Sequence, residues 1–268
     1  MLWENLRVTQ FNEWIEKSRG VCVLPIGVLE KHGDHLPVGT DMFVARAVCE
    51  RAAEIEPAVV FPYYFLGQIS EARHYKGAIA ASGQLRTDIL LEMCDEIARN
   101  GFKKILIVNS HGGNRSFLSS FVGETRHLGR DYNVYYCQAG GFSEDQVKKI
   151  CELAGTEKLG AHAGISETSL MLHLHPDLTN LSDQDPIEGE SLDKLKTLED
   201  LQIDTGINWY AKFPHHYAGA HTGANAGLGE TAFEMMCANT AKRIRAVKED
   251  SVTAELFGEF FTRARDPE

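Results

Sequence analysis

The chain has 268 residues, of which 43% are hydrophobic and 24% are charged, and its formal net charge at pH 7 is −11. This composition excludes a disordered or fibrous chain, and the negative charge argues against a protein that binds nucleic acid through many phosphates. No apolar run reaches the ~20 residues that cross a bilayer, and the N-terminus lacks the pattern of a signal peptide.

Six widely spaced cysteines, with no CxxC pair among them, are typical of small buried side chains in a reducing compartment. We therefore expect a cytoplasmic protein that has no membrane partner. The sequence contains no repeat and no linker that would divide it, so residues 1–268 are predicted to form one domain.

Short apolar runs alternate with helical patterns along most of the chain. In chain order, the predicted elements are strand 21–28, helix 41–56, strand 58–65, helix 84–100, strand 103–110, helix 114–128, strand 133–140, helix 143–154, helix 166–175, helix 230–249 and helix 251–264. The stretch 176–226 is predicted to form long loops. This alternation predicts an α/β fold, with a mostly parallel sheet and helices on both of its faces.

The first candidate site segment has the sequence LEKHGDHLPVGTD and follows the first predicted strand. Its potential metal ligands are Glu30, His32, Asp34, His35 and Asp41. Asp41 opens a helix, where the helix dipole favours an ionised carboxylate that can bridge two cations. The alternative is a solvated loop in which the acid at position 41 merely caps the helix.

The second segment, VNSHGGN, follows the third predicted strand. His111 stands before two glycines, which permit a close approach of the backbone to a ligand. The alternative is a tight turn with Asn114 as the cap of the next helix. Neither a phosphate loop nor a dinucleotide fingerprint is present, which disfavours an NAD-type enzyme.

The third segment, GAHAGISETSLML, places His162 before a predicted helix and Glu167 in its first turn. Apolar residues bury this helix, so a carboxylate there is costly unless it is paired with a cation. Capping by Ser166 is the alternative. Because the carboxyl ends of parallel strands meet at one edge of a sheet, we expect the loops after the first and third strands to form a metal site there.

Together, the three segments resemble the creatininase (creatinine amidohydrolase) family, whose motifs are E-x-H-G-x-H-L-P-x-x-x-D, N-x-H-G-G-N and H-A-G-x-x-E-T-S. The resemblance implies a creatininase-like fold and a metal-dependent hydrolase with two divalent ions per chain, either Zn, Mn or Fe. It also implies a small-molecule substrate and a homo-oligomer, often a hexamer.

The metal ligands that the resemblance implies are Glu30, His32, Asp41, His111 and Glu167, with Asp41 shared by both ions. Creatinine-hydrolysing members carry a Glu ligand where this chain has Gly113, so Glu167 is assigned in its place. Three carboxylates against two divalent cations leave one positive charge, which a bound hydroxide neutralises. His162 is the implied catalytic proton donor to the leaving atom.

The expected reaction is hydrolysis of a C–N amide bond in a small cyclic or amide substrate, by attack of a metal-activated hydroxide on the carbonyl. The alternative reaction is hydrolysis of a C–C bond in a cyclic keto-polyol such as 3-dehydro-scyllo-inosose. A non-enzymatic metal- or ligand-binding scaffold is a further alternative, but five ligands shared by two ions leave positions open for catalysis.

Two further regions bear on the substrate. The segment around His74 departs from the family pattern, because it lacks the expected Pro and Thr. His215, His216 and His221 lie in a loop that either closes over a substrate or is simply exposed.

Overall fold

The computed structural model describes residues 1–157, 159–183 and 189–267. Within these ranges the strands are β1 (Val21–Ile26), β2 (Val59–Val60), β3 (Lys104–Asn109) and β4 (Asn133–Gln138). The helices are α1 (Phe11–Lys17), α2 (Thr40–Ile55), α3 (Gly83–Arg99), α4 (Asn114–Glu124), α5 (Glu144–Ala154), α6 (Ile165–Leu174), α7 (Lys196–Asp200), α8 (Asn208–Lys212), α9 (Ala226–Glu249) and α10 (Val252–Arg265).

The strands form one parallel sheet in the order β2-β1-β3-β4, and both of its faces are buried. Successive residues of β1 point to opposite faces. Val23 packs in the cluster that includes α2, α6 and α9, and Leu24 packs in the cluster that includes α3 and α4. The predicted α/β fold with helices on both faces of a parallel sheet is confirmed.

The strand predicted over 58–65 is shorter than expected, because a missing donor on β1 interrupts the hydrogen-bond ladder between the two strands, and pairing resumes only as an isolated bridge between Ile26 and Tyr64. The N–H of Phe61 still donates to the carbonyl of Val23 at 2.8 Å. The next donor on β1 would be Pro25, which has no N–H. The carbonyl of Phe61 instead accepts from Nη1 of Arg46 at 2.8 Å, so a buried guanidinium of α2 completes the ladder.

Two helix boundaries also differ from the prediction. The helix expected over 114–128 ends at Glu124, and a 3₁₀ turn follows it. The helix expected over 230–249 begins four residues earlier, because the side chain of Asn225 caps it by accepting a backbone N–H at 2.9 Å. Apolar periodicity alone does not reveal such a cap.

The region predicted as loops, 176–226, contains the short helices α7 and α8, and its part 184–188 lies outside the described residues. The helix α1 was not predicted. All six cysteines are free thiols, and four of them are buried. Among the described residues, no helix is both long enough and apolar enough to cross a membrane.

Candidate metal centre

The first two segments meet at the carboxyl edge of the sheet. Glu30 and His32 lie in the loop after β1, Asp41 is the second residue of α2, and His111 follows β3. The loop after β1 packs tightly on α2, since a Cβ at Gly27 would lie 2.5 Å from the backbone of that helix. The short connections bring buried carboxylates and imidazoles together.

Backbone contacts of the third segment bring its side chains to the same edge of the sheet. The main chain of His162 forms an isolated bridge with Ala218. Ala163 has a positive φ of 54°, and its N–H donates to Oε2 of Glu167 at 2.6 Å. This contact directs the carboxylate in the first turn of α6 towards the cluster.

Asp41 stands between two groups of potential ligands. Its Oδ2 lies 3.0 Å from Nδ1 of His111, which lies 2.8 Å from Oε1 of Glu30. Its Oδ1 lies 3.3 Å from Nε2 of His32, which lies 3.9 Å from Oε2 of Glu167. In each of these two trios the candidate ligand atoms lie within 4.8 Å of one another, close enough to surround one metal ion.

Three buried atoms of this centre lack a hydrogen-bond partner among the described residues: Oε1 of Glu30, Nε2 of His32 and Oδ2 of Asp41. An unpaired buried polar group costs about 1–3 kcal/mol, so such atoms call for a ligand. Carboxylate oxygens together with imidazole nitrogens suit Zn²⁺, Mn²⁺ or Fe²⁺. The residues present therefore fit a divalent cation.

The charges of the cluster also call for cations. Burial opposes ionisation of Glu30 and His111, but their mutual attraction holds the pKa of Glu30 well below and that of His111 well above its usual value. Burial lowers the pKa of His32, yet Asp41 and its neighbours raise it to about 10. Burial raises the pKa of Glu167 to about 7. The protonated rings of His32 and His111 supply the positive charge that bound divalent cations would otherwise provide.

His216 is buried against Glu30. The sequence did not decide whether its loop closes over a substrate or is simply exposed. The indole N–H of Trp209 donates to Nδ1 of His216 at 3.0 Å, so Nε2 carries the ring proton and donates to Oε2 of Glu30 at 2.5 Å. A hydrogen bond of this kind orients a carboxylate for a metal. No local pattern could have found it, because 186 positions separate the two residues.

His162 borders the same cluster and forms a third trio with Glu30 and His32. Its Nε2 donates to the carbonyl of Lys31 at 2.8 Å. Burial, followed by the charge on His32, lowers the pKa of His162 to about 3. Its imidazole is therefore neutral in this structure.

A cavity of about 280 Å³ opens onto the cluster, and Trp209, His216 and Glu71 help to line it. Sequence reasoning missed Glu71, which belongs to the diverged segment around His74. Gly113 also lines the cavity, and a Cβ there would lie 2.5 Å from Nε2 of His111 and 3.2 Å from Oε1 of Glu71. The position therefore has no room for a longer side chain such as that of glutamate.

Two members of the first segment lie apart from the cluster. Asp34 is exposed and pairs with Lys31 at 3.1 Å. His35 is buried, and its Nε2 lies 2.9 Å from Oγ1 of Thr168, while its ring stacks on that of His221. These residues hold the loop rather than face the centre.

Comparison with known proteins points to one family. The family model described as "Creatininase: Creatinine amidohydrolase" matches residues 4–244. A creatinine amidohydrolase from Pseudomonas putida is 33% identical over 61% of this chain and 68% of its own length. A mycofactocin precursor peptide peptidase from Mycolicibacterium smegmatis is 31% identical, and the match spans 59% of each protein. A structure named "Creatininase Mn" superposes with a TM-score of 0.73 at 24% identity, covering 93% of this chain and 99% of that one.

Proposed function

The chain belongs to the creatininase family, and from this premise we propose that it hydrolyses a C–N amide bond in a small cyclic or amide substrate with two divalent cations per chain. The ligands would be Glu30, His32, Asp41, His111 and Glu167. The observation that carries the proposal is the position of Asp41, whose two oxygens face the two trios. Two relatives support it by name, one an amidohydrolase and the other a peptidase.

When bound, the cations would lower the pKa of water and polarise a carbonyl. The chain itself positions their ligands. His216 holds one oxygen of Glu30 and leaves the other facing His111. The first turn of α2 holds the carboxylate of Asp41 between the two trios. The matched structure named "Creatininase Mn" supports a divalent metal at this site.

His162 is the residue to which we assign proton transfer. Because its Nε2 proton is held on the carbonyl of Lys31, Nδ1 is the atom that accepts and delivers a proton. The aromatic wall formed by Trp209 limits the cavity to a small ring or amide group.

The test is metal content, measured by elemental analysis of protein purified without chelator, followed by turnover of a panel of cyclic amides. We expect about two divalent ions per chain in the wild type. Asp41→Asn removes a bridging charge, so it should retain at most one ion and lose about a thousandfold in turnover.

Asp34→Asn is the matched control, since Asp34 lies on the same loop but faces solvent. It should change neither metal content nor turnover. An active protein without metal, or an Asp41→Asn variant with unchanged metal content, would contradict the two-cation centre. Adding a cyclic diketone to the panel tests the carbon–carbon alternative.

A further inference from the structure

A second, larger cleft lies beside the metal centre. It has a volume of about 720 Å³ and opens past the end of β4, between α4 and the start of α6. Ala161 and Glu167 line both this cleft and the smaller cavity. A molecule held at the metal centre can therefore extend past Glu167 into the cleft.

Among the described residues that line the cleft, one has a cationic side chain. This is Arg115, on the first turn of α4, and among the same residues Glu167 is the only carboxylate. Across the described part of the chain, Arg115 forms no ion pair with a carboxylate. Arg115 is exposed, so its guanidinium is accessible to a ligand in the cleft.

The hydroxyl of Tyr136 offers a second donor on the same wall. The backbone N–H of His111 donates to Oδ1 of Asn109, which leaves Nδ2 of Asn109 to donate to Oε1 of Gln138 at 3.0 Å. Gln138 therefore presents its NH₂ group to the oxygen of Tyr136. Because that oxygen accepts, the phenolic proton points elsewhere, and Tyr136 lines the cleft.

Arg115 and Tyr136 line the same cleft. Burial raises the pKa of the Tyr136 hydroxyl, and the positive charge of Arg115 opposes that shift. A guanidinium and a hydroxyl that line one cleft can both donate to the oxygens of a carboxylate or a phosphate.

We propose that this cleft is a subsite for the part of the substrate that is not hydrolysed, and that this part carries an anionic carboxylate or phosphate group bound by Arg115 and Tyr136. The inference rests on the proposed function, because Glu167 links the cleft to the metal centre. The inference narrows the substrate class to amides that carry a carboxylate or phosphate group at a distance from the scissile bond.

Three matched probes test the subsite on metal-replete protein by isothermal titration calorimetry. They are N-acetylethanolamine, its phosphate monoester and N-acetyl-β-alanine, which share the amide and differ in a neutral, phosphate or carboxylate terminus. Arg115→Gln should weaken binding of at least one charged probe by about tenfold or more and leave the neutral probe unchanged. Tyr136→Phe should weaken the same probe less. The charged probe affected identifies the anion.

Arg126→Gln is the matched control, since it removes the same charge from the exposed turn that follows α4, outside the cleft. It should leave all three affinities unchanged. The subsite is overturned if Arg115→Gln changes the affinity for both charged probes by less than about twofold, or weakens the neutral probe equally. Failure of the proposed function would instead appear as missing cations and no amide turnover, with Arg115-dependent anion binding retained.

Discussion

Gly113 occupies a position where a side chain would collide with His111, one of the proposed metal ligands. The ring of His111 is held by the carbonyl of Gln68, which accepts from Nε2 at 2.8 Å. A Cβ at position 113 would lie 2.5 Å from that nitrogen and 3.1 Å from the same carbonyl. The ring cannot turn away without breaking this hydrogen bond. A glycine is therefore required here by packing.

Gly113→Ala should displace the ring of His111 and weaken metal binding by about tenfold or more, because a ligand that loses its orientation binds less well. Metal titration with a chelating indicator measures the effect. Gly112→Ala is the matched control, since a Cβ at that neighbouring glycine meets nothing within 4 Å. Equal affinities in the two variants would show that position 113 does not orient the ligand.

Trp209 acts on the centre through His216. Trp209→Phe keeps an aromatic ring but removes the N–H that fixes the proton of His216 on Nε2. We expect metal affinity to fall by about tenfold, since partners of this kind typically contribute that much. Trp14→Phe, on α1 and remote from the centre, should leave metal affinity unchanged. An unchanged affinity in Trp209→Phe would exclude a positioning role for this pair.

At the scale of elements, Arg46 links α2 to the edge of the sheet. Its side chain is 3% exposed and contacts Glu4, Glu50 and the carbonyl of Phe61. Removing the guanidinium leaves the half-buried carbonyl of Phe61 without a donor at the point where Pro25 interrupts the ladder. The helix that carries Asp41 is thereby tied to the segment that follows β2.

Arg46→Met should lower the free energy of unfolding by about 2 kcal/mol, as expected for a lost hydrogen bond from a charged donor to a half-buried carbonyl. Urea denaturation at neutral pH measures it. Arg51→Met, on the same helix but 45% exposed, is the control and should change stability by less than about 0.5 kcal/mol. A similar cost for both variants would mean that the carbonyl of Phe61 finds another partner.

At the scale of the whole molecule, α9 closes the fold by packing on α2 and α6. Glu56, at the end of α2, accepts from Lys248 at 2.6 Å and from Arg245 at 2.8 Å, both on α9. The hydrogen bond from Lys248 lowers the pKa of Glu56, and burial opposes this only in part. These contacts join residues that lie 189 or more positions apart in the sequence.

Because the pKa of Glu56 is lower in the folded chain than its usual value of 4.5, the unfolded chain binds this proton more readily. The contribution of Glu56 to stability is complete above about pH 5 and is lost as the pH falls through the folded pKa. Glu56→Gln should therefore cost about 1–2 kcal/mol at pH 7 and progressively less below pH ~4.5.

Urea denaturation at a series of pH values checks this dependence. Glu54→Gln, on the same helix and 67% exposed, should show no such difference at any pH. A cost of Glu56→Gln that stays constant down to pH ~3 would contradict the ion-pair origin of the effect.

Much of the fold and part of the centre were predictable because they depend on local order in the chain. Apolar runs and helical periodicity located the central strands and most helices. The length of strand β2 was overestimated, because the cause of its early end lies on another strand: Pro25 of β1 has no N–H to donate. The roles of the five ligands and of His162 remain predictions, although the structure places all six side chains around one cavity or beside it.

The α/β alternation, the family motifs and the kinds of side chain that follow β1 and β3 could be predicted from the sequence, since they depend on neighbours a few residues apart. The hydrogen bond between His216 and Glu30, the contact of Arg46 with the edge of the sheet and the place of Arg115 at a cleft next to Glu167 became visible only in the folded chain. Such contacts form when packing of the sheet and helices brings together segments that are remote in the chain, and no local pattern records them.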